Sequence, residues 1–170
     1  MVPIDDRRES EANKKLPGAE ALATVVEKVP AEMLLGVRRI VLYDDDAAVR
    51  KEKKLARHRP ITGTNQAELD IYYDRLRSHK LKGKTVDNYA LGELTTLLFE
   101  CLHAHQTVTR RVSRQLSAKE ERRRAETFAR TKTMEVLGTL MDAKEAAKLK
   151  KHVATWSIVE GEVAVEKEED

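Results

Sequence analysis

Leu94, Leu98, Cys101, His105, Val108, Val112 and Leu116 recur at intervals of three and four residues. Only an α-helix, turning about 100° per residue, brings such positions into one stripe. The spacing therefore predicts one long helix over Val86–Leu116 with that stripe turned to a core. A chain of 170 residues holds such a helix inside a single domain and leaves little room for a second. Charged residues make up 36% of the chain and aromatic residues 4%, a balance that points to a helix-rich protein rather than a β-sandwich.

The segments around this helix read as follows. Residues 1–16 are polar, mixed in charge and aperiodic, which predicts a flexible N-terminal arm. PGAEALATVVEKV predicts a short helix opened by Pro17 and Gly18 and stopped by Pro30, and AEMLLG another turn closed by Gly36. Val37–Asp46, VRRIVLYDDD, is β-branched and breaks on three aspartates: a strand running into a turn. The basic run Arg50, Lys51, Lys53, Lys54, Arg57 and Arg59, ended by Pro60, reads as a solvated loop or helix. Gly63 and Asn65 mark a turn before a second strand around Glu68–Tyr73, where Leu69, Ile71 and Tyr73 alternate. Beyond the long helix, Ser117 with Glu120 and Asp142 with Glu145 are capping boxes for helices reaching about Leu140 and Trp156. The expected fold is α+β, predominantly helical, with a small sheet packed on a long central helix. It spans 17–158 as a single domain, with 159–170 as an acidic tail.

Cys101 is the only cysteine, which excludes an internal disulfide framework and any CxxC metal knuckle and fits a reducing compartment. The first residues lack an apolar signal core, and no apolar run approaches the roughly 18–20 residues of a membrane span. The expectation is a cytoplasmic protein without a membrane partner. The formal charge of +3 is a weak pointer to nucleic acid. Arg110, Arg111, Arg114, Arg122, Arg123, Arg124 and Arg130 crowd the end of the long helix and the next one, with Glu120, Glu121 and Glu126 between them. Such a cluster serves as a solvated face, a phosphate-binding surface or a docking surface for an acidic protein partner. No aromatic residue interleaves the arginines to stack on bases.

Within the long helix, Phe99–His103 reads F-E-x-x-H. It is one residue from H-E-x-x-H, in which two histidines on one helical face hold zinc and the glutamate serves as general base. Phe99 and His103 fall nearly opposite the apolar stripe, together with Gln106 and Arg110. A phenylalanine there is a surface residue, a contact with a neighbouring element or the wall of a cleft. His105 lies on the stripe and reads as a hydrogen-bonded core histidine.

The order of IVLYDD, TGTNQAELDIYY, LLFECLHAHQ and ERRRAETFARTK resembles small intracellular zincin-like metallopeptidases of the gluzincin type, over roughly Val37–Leu140. The resemblance implies an edge strand over a cleft, H-E-x-x-H on the active-site helix and a third ligand, Glu, from a following helix in an E-A-x-x-F-A context. Carried over, Glu100 matches the general base and His103 the second histidine, while Phe99 stands in place of the first. Aligning Phe128 and Ala129 with the family's F-A puts Arg124 at the third-ligand position. A phenyl ring has no lone pair for zinc and a guanidinium repels it, so two of the three ligands are missing. Glu126 faces roughly 200° away from Arg124 and does not replace it. The resemblance so read implies a non-catalytic, accessory or regulatory protein without a cofactor. It would bind a macromolecular partner through Phe99 and the surrounding arginines. Two alternatives stand beside it: a metal-dependent hydrolase using Glu100, His103 and zinc with unconventional ligands, and a basic nucleic-acid-associated module.

Overall fold

The computed structural model describes residues 1–45, 55–78, 87–109, 123, 127, 131–136, 138–139, 142–144, 147 and 163–165. Its centre is a pair of parallel strands, β2 (Val37–Tyr43) and β4 (Ala67–Tyr72), in register from Val37↔Ala67 to Tyr43↔Tyr72. These are the two strands expected from the sequence. Every residue of β4 is buried, as befits a central strand with both faces covered.

Three further strands flank this pair. β1 (Ile4–Asp6) lies parallel to β2 on its outer side, and β3 (Ala56–Pro60) runs antiparallel to β4 through the turn around Gly63, whose φ is 77°. β5 (Val163–Val165) pairs in parallel with β3, giving the order β1-β2-β4-β3-β5. The architecture is therefore α/β with a five-stranded mixed sheet, which corrects the expectation of a predominantly helical α+β fold. The missing strands share a physical cause. β1 (IDD) is short and polar, and takes its place from pairing with β2 rather than from its own pattern. In β3, Arg57 and Arg59 alternate with the fully buried His58, so a charge-rich segment reads as solvent-facing when it is half core. β5 falls within the segment expected as an acidic tail.

The N-terminal residues 1–16, expected as a flexible arm, contribute β1 and the short helix α1 (Glu11–Lys14). Arg8 ties them down. It bonds Asp6 through Nε and Nη2, donates to the Asn13 carbonyl at 2.6 Å, and lies 4.4 Å from the centre of the Tyr73 ring. A Cβ on Gly18 would collide with this guanidinium, so the glycine that opens the next helix is also the space Arg8 occupies. Asp44, read as a turn residue, accepts the Glu9 and Ser10 backbone N–H groups at 2.8 and 3.1 Å.

α2 (Ala19–Val26) buries Leu22, Val25 and Val26, and a 3-10 turn (Ala31–Leu34) buries Met33. α3 (Tyr73–Ser78) follows β4 directly. The long helix forms as α4 (Asp87–Thr109). The expected positions up to Leu116 lie outside the described residues, as does the Ser117–Glu120 capping box. Leu94, Leu98 and Cys101 of α4 share one core with Ile40, Leu42, Leu69 and Ile71 of the sheet. Residues 131–136 are helical and add Val136 to that core. Among the described residues no helix is long and apolar enough to cross a membrane.

Candidate functional site

Thr96, Phe99, Glu100 and His103 occupy successive i, i+3, i+4 and i+7 positions and so share one side of α4. This side does not face water. Phe99 is fully buried and Glu100 is 8% exposed; His103 is partly covered. The hydroxyls of Thr96 and Thr133 lie 2.9 Å apart, so the helical residues 131–136 pack against this side of α4. α4 is thus sandwiched, with every residue from Leu94 to Leu102 buried.

This corrects the placement of Phe99 as a cleft wall or a partner contact. Helical periodicity reveals the stripe facing the sheet, but a helix covered on two sides has a second apolar side that the first stripe hides. Phe99 belongs to the hydrophobic core together with Val136 and contributes about 2–3 kcal/mol of burial there. Glu100 and His103 both have interaction partners. Arg124, Arg110, Arg111, Arg114, Arg122 and Arg130 lie outside the described residues. Arg123 is helical and exposed.

A zinc ion needs three or four converging N, O or S donors. Among the described residues no three His, Cys, Asp or Glu side chains come together in that way. At the first-ligand position of the resemblance, the Phe99 ring offers no donor and is enclosed by core. The described residues do not fit a zincin metal site.

On the opposite side of α4, His105 is 1% exposed, and its Nε2 lies 2.7 Å from the carbonyl oxygen of Leu35. Its Nδ1 lies 2.9 Å from Nε2 of His58, which is fully buried at the centre of β3. A carbonyl only accepts, so His105 carries its hydrogen on Nε2. The neutral ring then has a bare Nδ1 that accepts from His58 Nε2–H, and His58 Nδ1 is left as a bare lone pair. That atom is buried and has no hydrogen-bond partner among the described residues. Burial, reinforced by the neighbouring His105, pulls the His58 imidazole down to about 4. The reading of His105 as a bonded core histidine holds. Its partner His58 escaped notice because it sits between two arginines in a segment taken for a solvated run. The alternation of Ala56, His58 and Pro60 with Arg57 and Arg59 was the available signal.

A second polar cluster covers the other face of the sheet, built by cross-strand pairing of Arg57 with Asp70 and Arg59 with Glu68. Arg59 donates from Nε to Asp70 at 3.0 Å and from Nη2 to Glu68 at 2.6 Å. Arg39, on β2, reaches the other Glu68 oxygen at 2.8 Å. Glu68 and Asp70 are buried beneath these guanidiniums. Burial pushes the Asp70 carboxyl up, and the bonds from Arg59 partly offset it. The stacked rings of Tyr43 and Tyr72, 5.7 Å apart, continue this face, with Arg7 over Tyr43. Glu68 and Asp70 are each held by at least one guanidinium, Glu68 by both Arg39 and Arg59 and Asp70 by Arg59, so the cluster forms a charged ladder across three strands.

At the carboxyl ends of β2 and β4, Asn13 Nδ2 donates to Asp44 at 2.8 Å and to Asp74 at 2.7 Å. Burial pulls the Asp44 carboxyl up, but the bonds from Asn13, Glu9 and Ser10 outweigh it and hold the group below its ordinary value. Its oxygens accept from protein donors, in keeping with the turn expected there. Compared with protein-family models, with curated proteins and with solved structures, the chain matches none.

Proposed function

We propose that the chain is a non-catalytic accessory protein that resembles zincin-like metallopeptidases in its F-E-x-x-H segment and acts by binding a macromolecular partner. The observation that carries this reading is the complete burial of Phe99 at the position where such an enzyme places its first zinc histidine. A side chain with no lone pair fills that place, and the Thr96–Thr133 contact sets a second helix against the same side of α4. Glu100 keeps the position of a general base, but a general base without an activated water has no proton to take. Binding is then left to the surface. Phe99 does not reach a partner from the core. The exposed Arg123, in the run Arg122–Arg124, favours a protein partner with an acidic surface.

The test is an assay of the full chain against a mixture of unstructured peptides, with and without added zinc. The expected result is no hydrolysis above buffer and no effect of Glu100→Gln. Turnover that a chelator abolishes and Glu100→Gln removes would establish the hydrolase alternative instead.

A further inference from the structure

The His58–His105 pair joins three parts of the chain that meet at one end of the sheet. His58 comes from β3, His105 from α4, and the Leu35 carbonyl from the corner that leads into β2. The corner turns on Gly36, whose φ of 82° is readily reached only by glycine. A Cβ there would stand 2.6 Å from the Asn65 carbonyl oxygen and 3.2 Å from His105 Nε2, so the corner lies flush against both the imidazole and the β3–β4 turn. The Gly36 carbonyl accepts from the Ala67 N–H at 2.8 Å, and Ile61 N–H closes the β3–β4 turn onto Gln66 at 2.9 Å. The Leu35 side chain is 69% exposed, so at that residue the corner is held through its carbonyl and not through apolar burial.

The pair tolerates only its neutral form. Proton uptake at His58 Nδ1 creates an N–H with no acceptor among the described residues and a charge in a dry site. Among the described residues no carboxylate faces it. Arg57 and Arg59 beside it, and Glu68 and Asp70 beside its cross-strand neighbour Leu69, point to the other face of the sheet. On α4, Cys101 lies one turn before His105 as a neutral thiol, pushed up by burial, while Glu100 and His103 sit on the side that packs against residues 131–136. β5 brings Ala164 and Val165 alongside. The corner itself offers only Leu35 and Gly36, and the nearby Glu32 and Arg38 are exposed.

We propose that the pair is an acid-sensitive latch: proton uptake at His58 releases the Leu35–Gly36 corner and the β3–β4 turn from α4 while the centre of the sheet stays folded. An opened corner lets water reach the imidazole and returns it to its ordinary value of 6.5 from about 4 in the closed form. Because the closed form resists the proton, closure is at full strength above about 6.5 and weakens as pH falls toward 4. The opening equilibrium should then rise about thirtyfold between pH 7.5 and pH 5.

Native-state amide hydrogen exchange on the full chain, corrected for the intrinsic pH dependence, tests this. The Ala67 amide should lose about thirtyfold protection between pH 7.5 and pH 5, while the amides of Val41 and Leu42 at the sheet centre keep theirs. His58→Gln, which retains a donor for His105 but does not titrate, should abolish the pH dependence at Ala67. In the wild-type chain, ring nitrogen shifts of His58 should show the neutral Nε2–H form throughout pH 7.5 to 6. Ala67 protection independent of pH overturns the proposal, as does its loss in step with the central amides. So does a His58 ring already charged at pH 7, a result that needs no variant to fold.

Discussion

At the scale of single residues, Phe99 decides more than any other position. A phenylalanine on the outer side of a helix is worth a few tenths of a kcal/mol, whereas one enclosed by core costs several when truncated. Phe99→Ala should therefore destabilise the fold by about 3–5 kcal/mol in urea unfolding. A loss below 0.5 kcal/mol, within the usual range of surface changes, would return Phe99 to the surface and reopen its role as a partner contact. The sequence made Phe99 conspicuous but left its environment open, because helical periodicity reports the angle of a side chain and not what lies beyond it. His105 was legible for the same geometric reason: it shares the stripe of Leu94, Leu98 and Cys101, and a histidine there must find polar partners. The identity of those partners was not legible, since they come from β3 and from the Leu35 carbonyl, 47 and 70 residues away.

Among the elements, the β3–β4 hairpin shows how a charged segment becomes a strand. Arg57 and Arg59 pair with Asp70 and Glu68 across the ladder, and His58 faces the core opposite Leu69. Read alone, ARHRP is a basic run; read against AELDIY across a Gly63 turn, it is an alternating partner of opposite sign. β2 and β4 were readable because their own side chains are apolar enough to signal burial. β1 and β3 were not, because pairing with a neighbour gives them their structure. Removing Arg59 leaves Glu68 and Asp70 buried with fewer counter-charges, so Arg59→Ala should cost about 2 kcal/mol in urea unfolding at pH 7. The cost should shrink toward pH 3 as the Asp70 carboxyl, which burial pushes up, takes a proton and needs no partner. An Arg59→Ala chain as stable as wild type at pH 7 would show that the ladder holds nothing together.

For the whole molecule, the sheet and α4 define an α/β body whose edge is built by N-terminal residues that look dispensable in the sequence. The buried Arg8 and the bonds of Asp44 to Glu9 and Ser10 fix them to the carboxyl ends of the strands. The same body places the F-E-x-x-H segment between the sheet and a following helix, where an active-site cleft would have to open. The central claim is that, among the described residues, this place is packed core around Phe99, where Glu100 and His103 are joined by no third converging metal donor. Its most direct test is the zinc content of the full-length protein, purified without chelator, incubated with excess zinc and passed through gel filtration. The account predicts well below one zinc per chain, unchanged by His103→Ala. One equivalent of zinc that survives filtration and is lost in His103→Ala would contradict it.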